Sequence, residues 1–241
     1  MCVIIAMESK IPSLDTFKLC AKKNPHGGGI SWVKNGKVHW KKGIEAEEVH
    51  SIAERHGAPC VAHFRISTVG GTPKSLCHPF PIEKVIPDDI EGKSDAVLFH
   101  NGHWKDWDDV CMQMVLQKNA EFHDADWSDS KAMAWIAAHS NHSFLHFVSS
   151  QRVVIQTPKT RIYYGTWEQK EDVWYSNLNW VERETKYLND KEWFARYGKR
   201  SGYDVKNGVW YGYDDATGCD LYGNPEDDVP TADKNKTNET K

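Results

Sequence analysis

Met1-Cys2-Val3-Ile4-Ile5-Ala6 places a cysteine directly behind an initiator methionine and ahead of a short apolar run. Methionine aminopeptidase removes Met1 where residue 2 is small, and cysteine is small, so the expected mature chain begins at Cys2. That residue then carries a thiol and a free α-amine on one skeleton. An α-amine has a pKa of about 7.7–8.0, so part of it is neutral at pH 7 and can take the thiol proton. Val3-Ile4-Ile5-Ala6 reads as a buried strand that fixes the cysteine at a strand end. The bland alternative is a chance cysteine at a frayed terminus. The rest of the chain has to decide between the two.

The 241 residues suffice for one large domain or two small ones. A hydrophobic fraction of 39%, with 11 Trp, 9 Tyr and 8 Phe, supports a sizeable core. The net charge of −4 argues against a nucleic-acid surface, which wants a basic face. There is no apolar run long enough for a membrane helix and no basic region ahead of the first apolar stretch. A cytoplasmic protein is therefore expected, or host-cytoplasmic if it comes from a phage. Its ligand should be a small molecule or a protein, with neither membrane nor nucleic acid as partner. Cys2, Cys20, Cys60, Cys77, Cys111 and Cys219 show no CxxC spacing and read as free thiols, mostly buried.

Working outward, Ser13 is positioned to cap a short helix running to Lys23. The helix ends at Asn24-Pro25-His26-Gly27-Gly28-Gly29. Consecutive glycines permit close backbone approach, so this loop, with Gly28 at its centre, reads either as a flexible turn or as the wall of a substrate pocket. Lys34-Asn35-Gly36-Lys37 between two alternating runs predicts a hairpin. A helix is expected over Glu45 to Arg55 and a strand over Pro59 to Ile66. Ser94 to His100 reads as another strand, and helices follow over Trp104 to Gln117 and 128–138. After Phe144 the pattern turns to strands, at 144–149, 152–156, 161–164 and 173–175. Asp190 to Tyr197 reads as a short helix. Residues 201–229 are rich in aromatics, glycine and aspartate and read as a packed extension. Residues 230–241 are polar and expected to be disordered.

Polar clusters fall at the ends of these elements: Cys2, then Arg65 with Thr68 and Gly70, then His100-Asn101-Gly102, then Ser128-Asp129-Ser130. Together they form a chemical set. A thiol attacks a carbonyl. An Asn side chain and a glycine N–H supply donors for the oxyanion. An arginine clamps a carboxylate, and an aspartate holds an ammonium. The substrate that needs all of these is an α-amino acid with a side-chain amide, namely glutamine.

On these residues the chain resembles the class II glutamine amidotransferases, which are N-terminal-nucleophile (Ntn) hydrolases. Cys2 resembles the nucleophile. His63-Phe64-Arg65-Ile66-Ser67-Thr68-Val69-Gly70 is similar to the family's His-Thr-Arg-Trp-Ala-Thr-His-Gly segment, which implies Arg65 as the glutamine carboxylate clamp and Thr68 as a further binding residue. His78-Pro79-Phe80 is similar to the family's His-Pro-Phe piece, and Tyr175-Ser176-Asn177 stands where the family often ends a strand in serine. His100-Asn101-Gly102 implies an oxyanion hole from Asn101 and Gly102, and Ser128-Asp129-Ser130 implies Asp129 as the partner of the α-amine.

The resemblance spans roughly residues 2–180. It implies an α+β fold, a four-layer αββα sandwich with two antiparallel sheets, over a domain taken as residues 1–200. It implies no cofactor. The family commonly fuses this domain to a synthase that consumes the ammonia. This chain reads as a small stand-alone member, so a partner enzyme as ammonia acceptor stays open.

Four positions depart from the family. Val3 stands for a glycine, Ile66 for the tryptophan and Val69 for the histidine, and His26 stands near a usually acidic position. The amide substrate is therefore left as glutamine or a γ-glutamyl amide. Two other classes compete with this reading. A zinc site could draw on His63, Cys77, His78, His100 and His103, or on His139, His142 and His146, but no HExxH or CxxC spacing favours it. A non-catalytic Ntn-fold protein that binds or inhibits a partner would keep the fold without the chemistry.

Overall fold

Val3–Met7 forms strand β1, with all five residues buried. Such a strand must be covered on both faces, and its alternation shows by what. Val3, Ile5 and Met7 pack with Phe17, Val49 and Ile52 of two helices, whereas Ile4 and Ala6 pack with Val97, Phe99 and Val154 of a second sheet. The computed structural model describes residues 2–67, 71–118, 126–140, 142–147 and 151–181, and the backbone of four short strands beyond them. The chain divides into two units, Met1–Glu182 and Arg183–Lys241.

In the first unit, helix α1 spans Leu14–Lys23, with Ser13 as its cap accepting from the Thr16 N–H. Strands β2 (Gly28–Lys34) and β3 (Lys37–Ile44) form the expected hairpin. Its Asn35-Gly36 turn has φ of +51° and +71°, the left-handed pair that suits the twist of the flanking strands. Helix α2 (Ala46–His56) leads to β4 (Cys60–Phe64). Short strand β5 (Phe80–Pro81), β6 (Glu91–Ser94) and β7 (Val97–Asn101) follow, then α3 (Trp107–Lys118) and α4 (Asp129–His139). The unit closes with β8 (Arg152–Gln156), β9 (Arg161–Tyr164), β10 (Glu168–Lys170) and β11 (Val173–Tyr175).

Two antiparallel sheets result. The larger has the order β10-β11-β1-β4-β2-β3-β6 and the smaller β5-β7-β8-β9. Helices α1 and α2 cover the outer face of the first, and α3 and α4 that of the second. The architecture is the four-layer αββα sandwich.

Two expected elements differ. The single strand over Ser94 to His100 is two strands in different sheets: Ser94 pairs with Val38 in the larger, and Val97 with Pro81 in the smaller. Ser94 Oγ donates to the Ala96 carbonyl at 3.0 Å and tightens the corner where the chain crosses. The expected strand over 144–149 is in its described part a 3-10 helix, His142–Phe147. Phe144 and Leu145 both pack into the core beside α4. Adjacent residues of a strand point to opposite faces, so only a helical turn can put both there.

In the second unit β12 (Gly202–Asp204) pairs with β13 (Val209–Tyr211), and β14 (Tyr213–Asp214) with β15 (Cys219–Asp220). The helix expected over 190–197 and the tail 230–241 lie outside the described residues.

Between the sheets the layer changes character from apolar at Ile4, Val61 and Phe99 to polar at Lys42, His63 and His78. The His63 and His78 rings pack against each other tilted by 38°, with centroids 4.0 Å apart. Burial drives the His63 pKa down to about 3 and that of His78 well below its ordinary value, so both imidazoles are neutral. Lys42 is fully buried, with Nζ over the rings of Phe80 (4.7 Å) and Trp40 (5.3 Å) and no hydrogen bond among the described residues. Burial lowers its pKa to about 8.

The polar end also demands a glycine. A Cβ on Gly29 would lie 1.9 Å from the carbonyl oxygen of His78, a backbone atom that cannot swing aside. Gly29→Ala is expected to destabilise the fold by about 1–3 kcal/mol or more, read as a lower urea midpoint at unchanged slope. A midpoint equal to wild type would show that the two segments separate freely.

Candidate active site

Cys2 stands immediately before β1 and is half-buried. Its Sγ lies 3.4 Å from both backbone polar groups of Ile66, accepting from the N–H and able to donate to the carbonyl. Its own carbonyl accepts from Asn177 Nδ2 at 2.7 Å. Burial pushes the Cys2 thiol above its ordinary pKa, while the Ile66 N–H and the Arg65 guanidinium act the other way. The resting group is a thiol, held at a strand end by backbone on either side.

The antiparallel pairing of Val3 with Phe64 carries β4 past β1, so that Arg65 emerges level with Cys2. Arg65 is buried, and its Nη2 donates to Ser67 Oγ at 3.2 Å. His26 pins this segment. Its N–H donates to the Arg65 carbonyl, its Nδ1 accepts from the Ser67 N–H at 2.8 Å, and the Arg65 N–H donates to Gly27.

Asn101 ends β7. Its Nδ2 donates to Ser176 Oγ at 2.8 Å, and that oxygen also accepts from the Ile4 N–H at 2.8 Å. Ser176, just past β11, thus ties the end of the smaller sheet to β1. Gln151 clamps the turn that follows Asn101. Its Oε1 meets His100 Nε2 at 2.8 Å, and its Nε2 donates to the His103 carbonyl at 3.0 Å. It packs so closely over Gly102 that a Cβ there would sit 1.5 Å from Oε1.

Burial lowers the His100 pKa, so its ring is neutral. With a carbonyl oxygen at Nε2, the proton sits on Nε2, and Nδ1 accepts from Ser130 Oγ at 2.9 Å. Asp129 begins α4, where the helix dipole favours a negative charge. Its Oδ2 accepts from the Trp104 N–H at 3.0 Å and its Oδ1 from the Ser130 N–H at 2.8 Å.

Cys2, Arg65, Ser67, His100, Gly102 and Asp129 line one pocket of about 30 Å³, room for about one water. Asn101, one residue before Gly102, does not line it, and neither does its partner Ser176. Gly28 does not line it. Gly28 faces a separate pocket between the end of α1 and the start of α2, where an added Cβ would meet the Ile44 carbonyl and the Phe64 and Val49 side chains. Thr68 lies outside the described residues. Among the described residues no three His, Cys, Asp or Glu side chains are grouped to hold a metal ion. No helix among them is long and apolar enough to cross a membrane.

Sequence reasoning missed His26 and Gln151 as site residues. Gln151 carries no local signal, because it is the pairing of Asn101 with Arg152 that brings it over the turn.

No protein-family model matches the sequence, and no curated protein does. Solved structures do match. One is described as the allosteric regulatory enzyme of purine biosynthesis. It is 17% identical over 73% of this chain and 41% of that one, with a TM-score of 0.50. Another, glutamine phosphoribosylpyrophosphate amidotransferase from B. subtilis complexed with ADP and GMP, is 15% identical over 72% of this chain and 40% of that one, with a TM-score of 0.48. This chain therefore spans about two fifths of the length of either protein. At such identities the likeness speaks for the fold. The chain shares with the first of these structures the αββα sandwich fold.

Proposed function

We propose that the protein is an amide hydrolase of the class II glutamine amidotransferase type, releasing ammonia from glutamine or a γ-glutamyl amide. The observation that carries this reading is the single pocket shared by the strand-end thiol of Cys2, the buried Arg65, the buried Asp129 and Gly102. A thiol between a cation and an anion suits an amino acid whose carboxylate meets Arg65 and whose ammonium meets Asp129. Its side-chain carbonyl then lies toward Cys2.

With Met1 removed, the α-amine of Cys2 accepts the thiol proton and Sγ attacks the amide carbon. The C=O electron pair moves onto oxygen, where Asn101 and the Gly102 N–H receive it. Collapse expels ammonia, which takes its proton from the α-ammonium. Water then gives a proton to the amine and attacks the thioester, and glutamate leaves as the Cys2 thiol is restored. The pocket must widen from about 30 Å³ to admit glutamine.

The test is the intact mass of the native protein before and after a diazo-oxo-norleucine, an electrophilic glutamine mimic. Loss of Met1 and one covalent adduct are expected. A chain that keeps Met1, or a processed chain that takes no adduct, overturns the reading. The narrow pocket would then fit the second reading, a non-catalytic protein that uses this fold to bind or inhibit a partner.

Arg65→Ala is expected to raise the KM for glutamine about 10–100-fold, the worth of a charge-assisted hydrogen bond, with kcat far less affected. Steady-state ammonia release checks this. An unchanged KM would remove Arg65 from the carboxylate.

A further inference from the structure

Strand β1 carries Cys2 ahead of its first residue and Glu8 after its last, about 20 Å apart at the rise of an extended chain. Around Glu8 lies a cleft of about 600 Å³ lined by Glu8, Lys159, Arg161, Tyr163, Trp167 and Trp174. That volume falls within the range of small-molecule sites. The cleft shares no residue with the Cys2 pocket.

Its floor is set by hydrogen bonds. Glu8 accepts from Arg161 Nε at 2.7 Å, from Arg161 Nη2 and from the Tyr163 hydroxyl. Three donors fill the carboxylate, and Arg161 and Tyr163 hold its pKa below the ordinary value against the opposing effect of burial. Glu8 therefore has little left for a ligand. Arg161 keeps Nη1, and Lys159, on the exposed turn ahead of β9, makes no ion pair among the described residues. Two cations against one anion leave the cleft with a charge of +1.

Its walls are aromatic. Trp167 stands edge-on to Tyr163 at 5.1 Å, and its Nε1 donates to the Tyr164 carbonyl at 3.0 Å, so that indole is fixed. Trp174 pairs across the sheet with Ala6, whose methyl leaves space beside it, and is 36% exposed. A structural staple between β1 and β9 accounts for Glu8, Arg161 and Tyr163. It accounts neither for an exposed tryptophan nor for an unpaired lysine facing the same space.

We propose that this cleft is a second binding site, for a flat aromatic ring bearing one anionic group. The ring stacks on Trp174 against Trp167, and the anion meets Lys159 Nζ and Arg161 Nη1. The proposal does not rest on the chemistry assigned to Cys2.

The test is calorimetric titration of the full chain, with ligand-observed NMR, using 1-naphthoate and 1-naphthyl phosphate. 1-Naphthol serves as the uncharged ring. Saturable binding of at least one anion is expected, with naphthol about tenfold weaker or worse. Tighter binding of the carboxylate or of the phosphate identifies which anion the site takes. Lys159→Ala and Trp174→Ala, both at exposed positions, are each expected to weaken it about tenfold, whereas Cys2→Ala leaves it unchanged. No saturable binding of either anion at millimolar concentration overturns the proposal. So does naphthol binding as tightly as the anions, or full affinity in both variants.

Discussion

A Cys2→Ala variant is expected to lose glutamine turnover by a factor of roughly 10⁴–10⁶, the loss seen when a nucleophile is removed from a concerted site. Its fold should survive. The side chain of Cys2 is half-buried and touches the rest of the protein through the backbone of Ile66. Removing Sγ exchanges two weak sulfur contacts for water or a small gap, a cost of about 1 kcal/mol. Strand β1 keeps its ladder to β4 and β11, which does not involve that side chain. A large kinetic effect with a small thermodynamic one is the signature of a group whose work is chemical.

The pH dependence follows from the same site. Burial holds the thiol above its ordinary pKa, so thiolate is scarce at neutral pH and a base must take the proton as the bond forms. If the α-amine is that base, kcat/KM falls as pH drops below about 8 and the amine becomes protonated. Ammonia release as a function of pH, with thermal melts of the variant beside wild type, reads both effects. A loss of less than tenfold in Cys2→Ala would make the thiol a bystander.

The second large effect is on stability in mild acid. His63, His78 and His100 are buried, and burial lowers the pKa of each, to about 3 for His63. In the unfolded chain all three titrate near 6.5. Below that pH the unfolded state binds protons that the folded state refuses, so folding loses stability as pH falls. Each such histidine contributes a slope of up to ~1.4 kcal/mol per pH unit. His63 and His78 together approach about 3 kcal/mol per pH unit, and His100 adds in the same direction, which lowers the Tm by on the order of 10 °C per pH unit. The window opens at about 6.5, above the carboxylate range in which Glu8 begins to lose its pairing with Arg161.

Scanning calorimetry from pH 7.5 to 5 checks this. His63→Leu should flatten the slope by about one proton, because leucine takes up no proton in the unfolded chain. A Tm that is flat across that range would mean that the three rings take up protons in the folded state. The contact of His63 with His78 would then have to open.

The sandwich was legible where local periodicity and local chemistry agree. The apolar run Val3-Ile4-Ile5-Ala6, the Asn35-Gly36 turn and the Ser13 cap are each specified within a few residues, and each element lies close to its expected position. Cys2, Arg65, Gly102 and Asp129, which share one pocket, each stand at the end of an element with its own signal. Turns at layer boundaries were not legible. Nothing local separates Ser94 from Val97, and they belong to different sheets because each follows a different distant partner, Val38 or Pro81.

Composition and the periods of the strands and helices were thus determined by the sequence alone, because the periods rest on contacts between near neighbours in the chain. The tertiary structure alone decided that Gln151 closes over Gly102, that Ser176 joins Asn101 to β1, and that Gly28 faces a different pocket from Cys2. It also decided that Glu8, Arg161 and Trp174 surround a cleft at the other end of β1. Those placements come from strand pairings between residues tens to well over a hundred positions apart, whose register is set by the packing of whole layers and leaves no period in the chain to read.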